Sequence, residues 1–276
     1  MLARRFFAAC IVSSVAIVAL GAAAACGSSS SSADPGVSEG GGDGDLPDTM
    51  QLDVQVTNPN EAKQKGRVID ALSKFGVTNP VITVGSKSVT GNADGMYEII
   101  VPKNKPYSMS VTAEDHWKLN EQEWILKTDF VDRMDTALLS TSIANVLATL
   151  LPPRDKAKGI LVVHVAPLPP CASEAGSVIS IAPAGSAKIT YFSGGKPDKT
   201  VTSAVAGESF SAAITDVEPG INVVVKADSP TCELVAFPVD YQGVTYTGNQ
   251  KAEAGNVLSY LRVFVGPPKI VDGGGD

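Results

Sequence analysis

The predicted fold follows from one stretch of sequence, Val89-Thr-Gly-Asn-Ala-Asp-Gly-Met-Tyr-Glu-Ile-Ile-Val-Pro102. Its Asp94-Gly95 pair is typical of the tight turn that reverses a β-hairpin, because glycine adopts a positive φ without strain. From Tyr97 to Val101 the odd and even positions face opposite sides, which is the period of two of a strand. We therefore expect Tyr97 to be a core aromatic rather than a platform that stacks on a ligand.

Further short strands are predicted on both sides of this stretch. Runs of β-branched and aromatic residues alternate with Gly, Pro and Asn, a pattern that favours a sandwich of two sheets. In the first half they lie near residues 66–70, 81–84, 96–101, 107–113 and 124–127. In the second half they lie near residues 160–165, 178–181, 188–192, 209–214, 222–227, 244–247 and 258–265.

The two halves also share a weak internal repeat. In both 94–114 and 207–228 a turn precedes an aromatic-bearing strand, and a Val-x-Ala strand closes the unit. A repeat at this long spacing indicates two copies of one domain type rather than a solenoid.

One helix is predicted between the halves, from Asp135 to Leu151, with Asp135 or Thr136 as its cap and Pro152-Pro153 as its stop. Its apolar face repeats at three- and four-residue spacing and comprises Leu139, Ile143, Val146 and Leu150. We expect this face to pack on the two sandwiches as a spacer. The alternative is a helix that binds a partner or a membrane surface, although the Lys and Arg typical of a membrane-surface helix are missing.

Four segments of the first half follow a known family pattern: Gly66-Arg-Val-Ile-Asp-Ala-Leu72, Val81-Ile-Thr-Val-Gly85, Val89 to Pro102, and Val111-Thr-Ala113. Together they resemble the carboxypeptidase regulatory-like domain family, whose members are transthyretin-like, carbohydrate-binding-like β-sandwiches. Members of this family occur on peptidases, outer-membrane receptors and surface lipoproteins, and the common pattern contains no catalytic residue. The family usually places its aromatic directly after the Val-x-Ala strand, where this chain has Asp115-His116-Trp117.

The resemblance implies an all-β fold, with two tandem transthyretin-like or immunoglobulin-like β-sandwiches joined by a short helix. We place the first sandwich at residues 50–130, the helical spacer at 131–158, the second sandwich at 159–267 and a disordered tail at 268–276.

The amino terminus has the pattern of a bacterial lipoprotein export signal. Arg4 and Arg5 precede an apolar stretch too short for an ordinary membrane span, and three alanines precede Cys26. Residues 1–25 are therefore predicted to be removed, and the resemblance to a lipobox implies acyl chains on Cys26 that hold the protein in a lipid bilayer. A lipobox usually has a larger aliphatic residue where this chain has Ala23. The alternative is an ordinary secretory signal, cut so that Cys26 is a free thiol or is lost.

Residues 26–49 are predicted to be a flexible tether. They consist mainly of Gly, Ser and Asp, and too few apolar residues are present to offset the entropy of ordering. Removal of the leader takes away two of the 22 basic residues and none of the 29 acidic ones, which leaves a formal charge of −9. We expect no nucleic-acid partner, because such binding relies on Lys and Arg that neutralise phosphates.

Two cysteines remain when Cys10 of the leader and Cys26 are set aside. In an oxidising compartment, Cys171 and Cys232 are expected to form one disulfide. Closing a loop of about 60 residues stabilises the second half by roughly 4 kcal/mol in the chain-entropy model. A metal or redox pair is the competing interpretation, but the partner residues that it needs are missing.

No recognisable catalytic set is present in the sequence. His116 and His164 lie in different halves, and neither begins a zinc-ligand motif, so no metal site and no cofactor are predicted. A glycosidase needs a pair of carboxylates, which folding could bring together from four acidic residues: Glu114, Asp115, Glu121 and Glu123. We expect these residues to form a solvated rim instead.

Trp117 and Trp124 are the best candidates for contact with a ligand, because exposed aromatic rings at the edge of a sandwich can stack on sugars. Large aromatic side chains are mostly buried, however. We therefore expect Trp117 to close the core at the end of the sandwich and Trp124 to pack under the helix.

These features predict a non-enzymatic, exported lipoprotein that Cys26 holds in the bacterial cell envelope, at the outer membrane or the cell surface. Its sandwiches would serve structural or protein-binding purposes, with another envelope protein as partner. One alternative is a carbohydrate or cell-wall binding module that uses Trp117. The other is a hydrolase whose site the sequence does not reveal.

Overall fold

The computed structural model describes Val56, residues 58–132 and residues 136–269. The predicted leader, Cys26, the tether and residues 270–276 of the predicted tail lie outside the described residues, as does Asp135. The described residues form these elements: β1 (Glu61–Asp70), β2 (Val81–Val84), β3 (Lys87–Thr90), β4 (Met96–Pro102), β5 (Pro106–Tyr107), β6 (Ser110–Thr112), β7 (Lys118–Glu121), β8 (Trp124–Leu126), β9 (Phe130–Asp132), β10 (Thr136–Leu138), α1 (Thr141–Leu150), β11 (Gly159–Pro167), β12 (Val178–Ala182), β13 (Lys188–Ser193), β14 (Lys196–Asp198), β15 (Ala212–Val217), β16 (Asn222–Asp228), β17 (Cys232–Leu234), β18 (Val239–Tyr241), β19 (Val244–Tyr246), β20 (Gln250–Lys251) and β21 (Val257–Pro268).

The predicted all-β class is confirmed. Most predicted strands form, and β2 has the predicted bounds, because β-branched residues pack well on a pleated surface. The predicted strand 107–113 is split into two. β5 pairs with β8, whereas β6 pairs with β2 and β7 in another sheet.

The turn before β4 joins two sheets. Gly95 has the predicted positive φ of 79°. The predicted hairpin is wrong, however, since β3 pairs with β2 while β4 pairs with β1 along its whole length. Tyr97 faces the core as predicted and is 3% exposed.

A ten-stranded sheet contains strands from both halves of the chain, in the order β14-β13-β15-β11-β21-β7-β6-β2-β3, with β17 paired to β21. The long strand β21 lies between β11 and β7 and runs parallel to both. A second link between the halves is the antiparallel pair of β19 and β8. Strands on opposite sides of the predicted domain boundaries, near residues 130 and 159, are therefore hydrogen-bonded to each other. The domain boundaries themselves stay predictions.

Strand β21 separates two apolar cores. Its even-numbered residues, among them Leu258 and Phe264, belong to the core shared with the first half. Its odd-numbered residues, among them Leu261 and Val263, belong to the core of the second half. A strand covered on both faces is expected to be apolar throughout, so its polar positions stand out.

The helix α1 begins at Thr141, later than predicted, because residues 136–138 pair with β1 as the strand β10. Its cap is Ser140, without a side-chain capping bond, so the prediction that Thr136 caps the helix is wrong. Ala144 is its buried residue, whereas Val146 and Leu150 of the predicted apolar face are exposed. Within the described residues, this ten-residue helix is too short to cross a membrane.

Cys171 and Cys232 are joined by a disulfide. Both side chains are buried in the core of the second half. The bond closes a loop with a sequence separation of 61 residues.

Candidate ligand-binding cavity

A cavity of about 710 Å³, here called the central cavity, lies on the even-numbered face of β21. The helix α1 and strands of both halves complete its walls. Most of the lining side chains are apolar: Ile69, Ala71, Leu72, Leu119, Trp124, Ala137, Leu139, Ile143, Val146, Leu147, Val162, Phe192, Phe210, Val244 and Leu258.

The central cavity opens to solvent at a rim. Leu72 and Val146 line it and are 67% and 59% exposed, respectively. The cavity is therefore filled in solution, by water or by a ligand.

The register of β21 places one cation in this apolar wall. Tyr260 lies between Val162 of β11 and Glu121 of β7. The β7 ladder ends at Glu121, and the side-chain oxygen of Gln122 accepts the next backbone N–H of β21, that of Arg262. The guanidinium of Arg262 is thereby held at the cavity wall.

Aromatic residues surround the guanidinium of Arg262. Its Nη1 donates to the hydroxyl of Tyr246 at 3.3 Å, and its Nη2 donates to the hydroxyl of Tyr260 at 3.5 Å. The guanidinium carbon also lies 5.5 Å from the ring centre of Tyr241. The Nε atom is buried without a hydrogen-bond partner, and no carboxylate of the described residues forms an ion pair with Arg262. Among the described residues, the side chains that contact the guanidinium are therefore neutral.

Two titratable neighbours of Arg262 are neutral at pH 7. His164 is its register partner on β11, and burial together with the charge of Arg262 lowers the pKa of His164 to about 4. Burial raises the pKa of Tyr260 to about 12. Neither side chain carries a charge that would balance the guanidinium.

The acidic groups of the cavity have other contacts. Glu208 accepts the backbone N–H groups of Gly194 at 2.6 Å and Gly195 at 3.0 Å, which ties it to a turn. Glu121 accepts from the hydroxyl of Thr136 at 3.4 Å. These carboxylates are held by donors other than Arg262.

The two tryptophans are buried. Trp124 is 0% exposed, lines the central cavity and meets Tyr107 and Tyr246 edge to face. Trp117 is 5% exposed and lies outside the lining of this cavity, under the guanidinium of Arg154 at 5.7 Å. Neither presents a free ring face at the edge of a sheet.

The four acidic residues considered for a glycosidase are not gathered at one site. Glu114 and Asp115 are exposed beside a separate polar pocket, which also contains His116. Glu121 lines the central cavity, and Glu123 accepts from Asn249 at 2.7 Å.

His116 makes two polar contacts in that pocket. Its Nε2 lies 3.5 Å from a carboxylate oxygen of Asp70, and its Nδ1 lies 2.7 Å from the backbone carbonyl of Glu114. Across residues 58–132 and 136–269, no cluster of His, Cys, Asp and Glu side chains is suited to hold a metal ion.

Arg262, Tyr260 and Tyr246 were not identified from the sequence. One signal was available, since Arg262 interrupts the otherwise strand-like run Leu258-Ser-Tyr-Leu-Arg-Val-Phe-Val265. A cation in a strand that is buried on both faces marks a functional position more often than an exposed one does.

No family model and no curated protein matches the chain. Among solved structures, a Bacteroides fragilis protein of unknown function, proposed to be membrane-associated, is 26% identical over 30% of this chain and 29% of its own length, with a TM-score of 0.23. A streptococcal ancillary pilin is 8% identical over 76% of this chain and 63% of its own, with a TM-score of 0.24. The CBM26 module of Eubacterium rectale Amy13K, solved with maltoheptaose, is 12% identical over 78% of this chain and 98% of its own, with a TM-score of 0.25.

The chain thus spans less than two thirds of the Bacteroides protein and of the pilin. Its similarity to these bacterial proteins is distant, and scores of this size assign it to no family.

Proposed function

We propose that this protein is an exported, non-enzymatic protein of the bacterial cell envelope, anchored through Cys26, which binds an apolar small molecule in the central cavity. The observation that carries the proposal is the cavity itself. Ligand pockets commonly measure about 300 to 1,000 Å³ and combine apolar walls with a few polar groups, as this cavity does.

Export and anchoring are supported by the amino-terminal sequence and by the disulfide. The leader and Cys26 have the lipoprotein pattern, and the buried disulfide of Cys171 and Cys232 suits an oxidising compartment. A Gly/Ser-rich tether of 24 residues, 26–49, would hold the residues that follow it on the order of 25 Å from the lipid on Cys26.

The polar groups of the central cavity suit binding better than catalysis. A nucleophile needs a general base within hydrogen-bond reach. The lining residues include neither His nor Cys, and Glu208 is bonded to Gly194 and Gly195. The burial of Trp117 and Trp124 also gives no support to sugar stacking on an exposed sheet edge.

The proposal is tested with a neutral apolar dye and a substitution that fills the cavity. Ile143 of α1 lines the cavity, whereas Asn145 of the same helix is exposed and does not. We expect the mature wild-type chain to bind Nile red, Ile143→Trp to lose that binding, and Asn145→Trp to retain it. Fluorescence titration gives the affinities, and circular dichroism checks that all three proteins are folded.

If folded Ile143→Trp binds the dye as tightly as Asn145→Trp does, the dye lies elsewhere and the proposal fails. Absence of dye binding by the wild type also contradicts it.

A further inference from the structure

We infer that the ligand of the central cavity is an amphipathic monoanion, a straight-chain carboxylate whose head group pairs with Arg262 and whose chain lies on the apolar wall. This inference rests on the proposed function, and it adds the chemical class of the ligand.

The guanidinium of Arg262 has unused hydrogen-bonding capacity. Arg262 points its donors at two phenol oxygens at 3.3 and 3.5 Å, and its Nε has no partner. The side chain of Arg262 is half-buried, and taking a charge out of water is costly unless the charge is paired. A carboxylate supplies the missing acceptors, because its two oxygens match the forked donors of a guanidinium.

Within the described residues, the groups beside the guanidinium of Arg262 form no ion pair with it. His164 and Tyr260, which flank Arg262 on the sheet, are neutral at pH 7 because burial opposes their charged forms. The cavity lining contains three acidic residues. Glu208 is bonded to backbone N–H groups, and Glu121 accepts from the hydroxyl of Thr136. Asp132 is exposed. An anionic group is therefore the complement that this position lacks.

An apolar surface lines the same cavity as the guanidinium. Leu258 stands on the same face of β21, and Ile143 and Leu147 of α1 line the same cavity. Each methylene that leaves water for such a surface contributes about 0.8 kcal/mol. An inorganic anion would leave this wall in contact with water, whereas an alkyl chain covers it.

The test compares three ligands of equal chain length: dodecanoate, dodecanol and dodecylamine. Each ligand is used below its own critical micelle concentration to displace Nile red from the mature chain. This chain carries Cys26→Ala, so that the protein's own acyl chains are absent. We expect dodecanoate to bind about ten-fold or more tightly than dodecanol, since a hydrogen-bonded ion pair contributes at least that much, and dodecylamine to bind most weakly.

Two variants connect the preference to Arg262. Arg262→Gln should bind dodecanoate and dodecanol with equal affinity, while its affinity for dodecanol stays as in the parent chain. Arg262→Lys should retain part of the preference for dodecanoate. The comparison of the three ligands on the chain with Arg262 intact remains valid even if one of these variants does not fold.

Equal affinities for dodecanoate and dodecanol, or a preference for dodecylamine, overturn the inference and leave the proposed function intact. Failure of all three ligands to displace the dye overturns the inference and shows that alkyl chains do not enter the site. Failure of the wild type to bind the dye at all overturns the proposed function as well.

Discussion

His164 and Arg262 are register partners on the parallel strands β11 and β21, at the centre of the ten-stranded sheet. Burial and the adjacent guanidinium together lower the pKa of His164 to about 4, from an ordinary value of 6.5. Within the described residues, Arg262 has no carboxylate partner, and its register partner is a neutral histidine. This arrangement affects three measurable properties: the ligand preference, the pH dependence of stability and the stability itself.

The pair predicts acid sensitivity of the fold. Between pH 6.5 and about 4 the unfolded chain binds a proton at His164 and the native chain does not, so the free energy of unfolding falls as the pH falls through this range. The loss approaches about 3 kcal/mol at the acid end. Urea denaturation at several pH values should show that His164→Gln loses this part of the slope.

His116→Gln is the control, because it removes the second histidine of the chain and leaves the Arg262 neighbourhood unchanged. The same slope in His164→Gln and wild type would show that other groups cause the acid sensitivity.

Arg262 itself is predicted to cost stability. Arg262 is half-buried, and replacing a charge that is withdrawn from water by an apolar side chain of similar volume is often neutral or stabilising. We expect Arg262→Met to leave the free energy of unfolding unchanged or to raise it by about 1 to 2 kcal/mol, measured by urea denaturation without ligand. A loss of more than about 2 kcal/mol would mean that the contacts with Tyr241, Tyr246 and Tyr260 outweigh the burial of the charge.

The turn before β4 is predicted to be intolerant of a side chain. Gly95 and Gly85 both have positive φ, but a Cβ at Gly95 would lie 2.1 Å from the backbone oxygen of Val68, and a Cβ at Gly85 would meet nothing. Gly85→Ala should cost about 1 kcal/mol of stability from the backbone conformation alone. Gly95→Ala should cost clearly more, because β1 or the turn must move. Equal thermal midpoints of the two variants would contradict this prediction.

The disulfide is predicted to stabilise the second half. In the chain-entropy model, a loop as long as that between Cys171 and Cys232 contributes roughly 4 kcal/mol. Replacing both cysteines by serine should lower the free energy of unfolding by about this amount, and a reducing agent should do the same to the wild type. If mass spectrometry of the exported protein finds both thiols free, the disulfide does not form in the cell.

Cys26 is predicted to carry the lipid. Cells that express the protein and are fed a clickable fatty acid should label the wild type, and Cys26→Ala should stay unlabelled because it has no thiol for the thioether. Equal labelling of both proteins would refute lipidation at this residue. Release of Cys26→Ala from the membrane fraction would show separately that the lipid is the anchor.

Local structure could be predicted where neighbouring residues decide it. The alternation after Asp94-Gly95 correctly predicted β4 and the burial of Tyr97, and β-branched runs predicted β2 and β21. The prediction failed for the start of α1, because residues 136–138 pair with β1 instead of forming the first helical turn. Pairing with a strand far away in sequence overrides local helical periodicity.

The central cavity could not be predicted, since its walls depend on the order of strands. Arg262 acquires its role only because β21 enters the sheet between β11 and β7, next to strands from both halves. A pattern of period two shows which residues share a face of a strand, but it does not show which strand lies beside it.

The sequence by itself determined the β class, the position of most strands, the pairing of Cys171 with Cys232 as an expectation, and the export pattern around Cys26, because each depends on composition or on residues close together in the chain. Only the tertiary structure decided that strands of both halves share one sheet and that Trp117 and Trp124 are buried. It also decided that the guanidinium of Arg262, which has no ion pair among the described residues, faces a mainly apolar cavity. These features follow from long-range strand pairing, whose free energy is distributed over both halves and leaves little trace in any one segment.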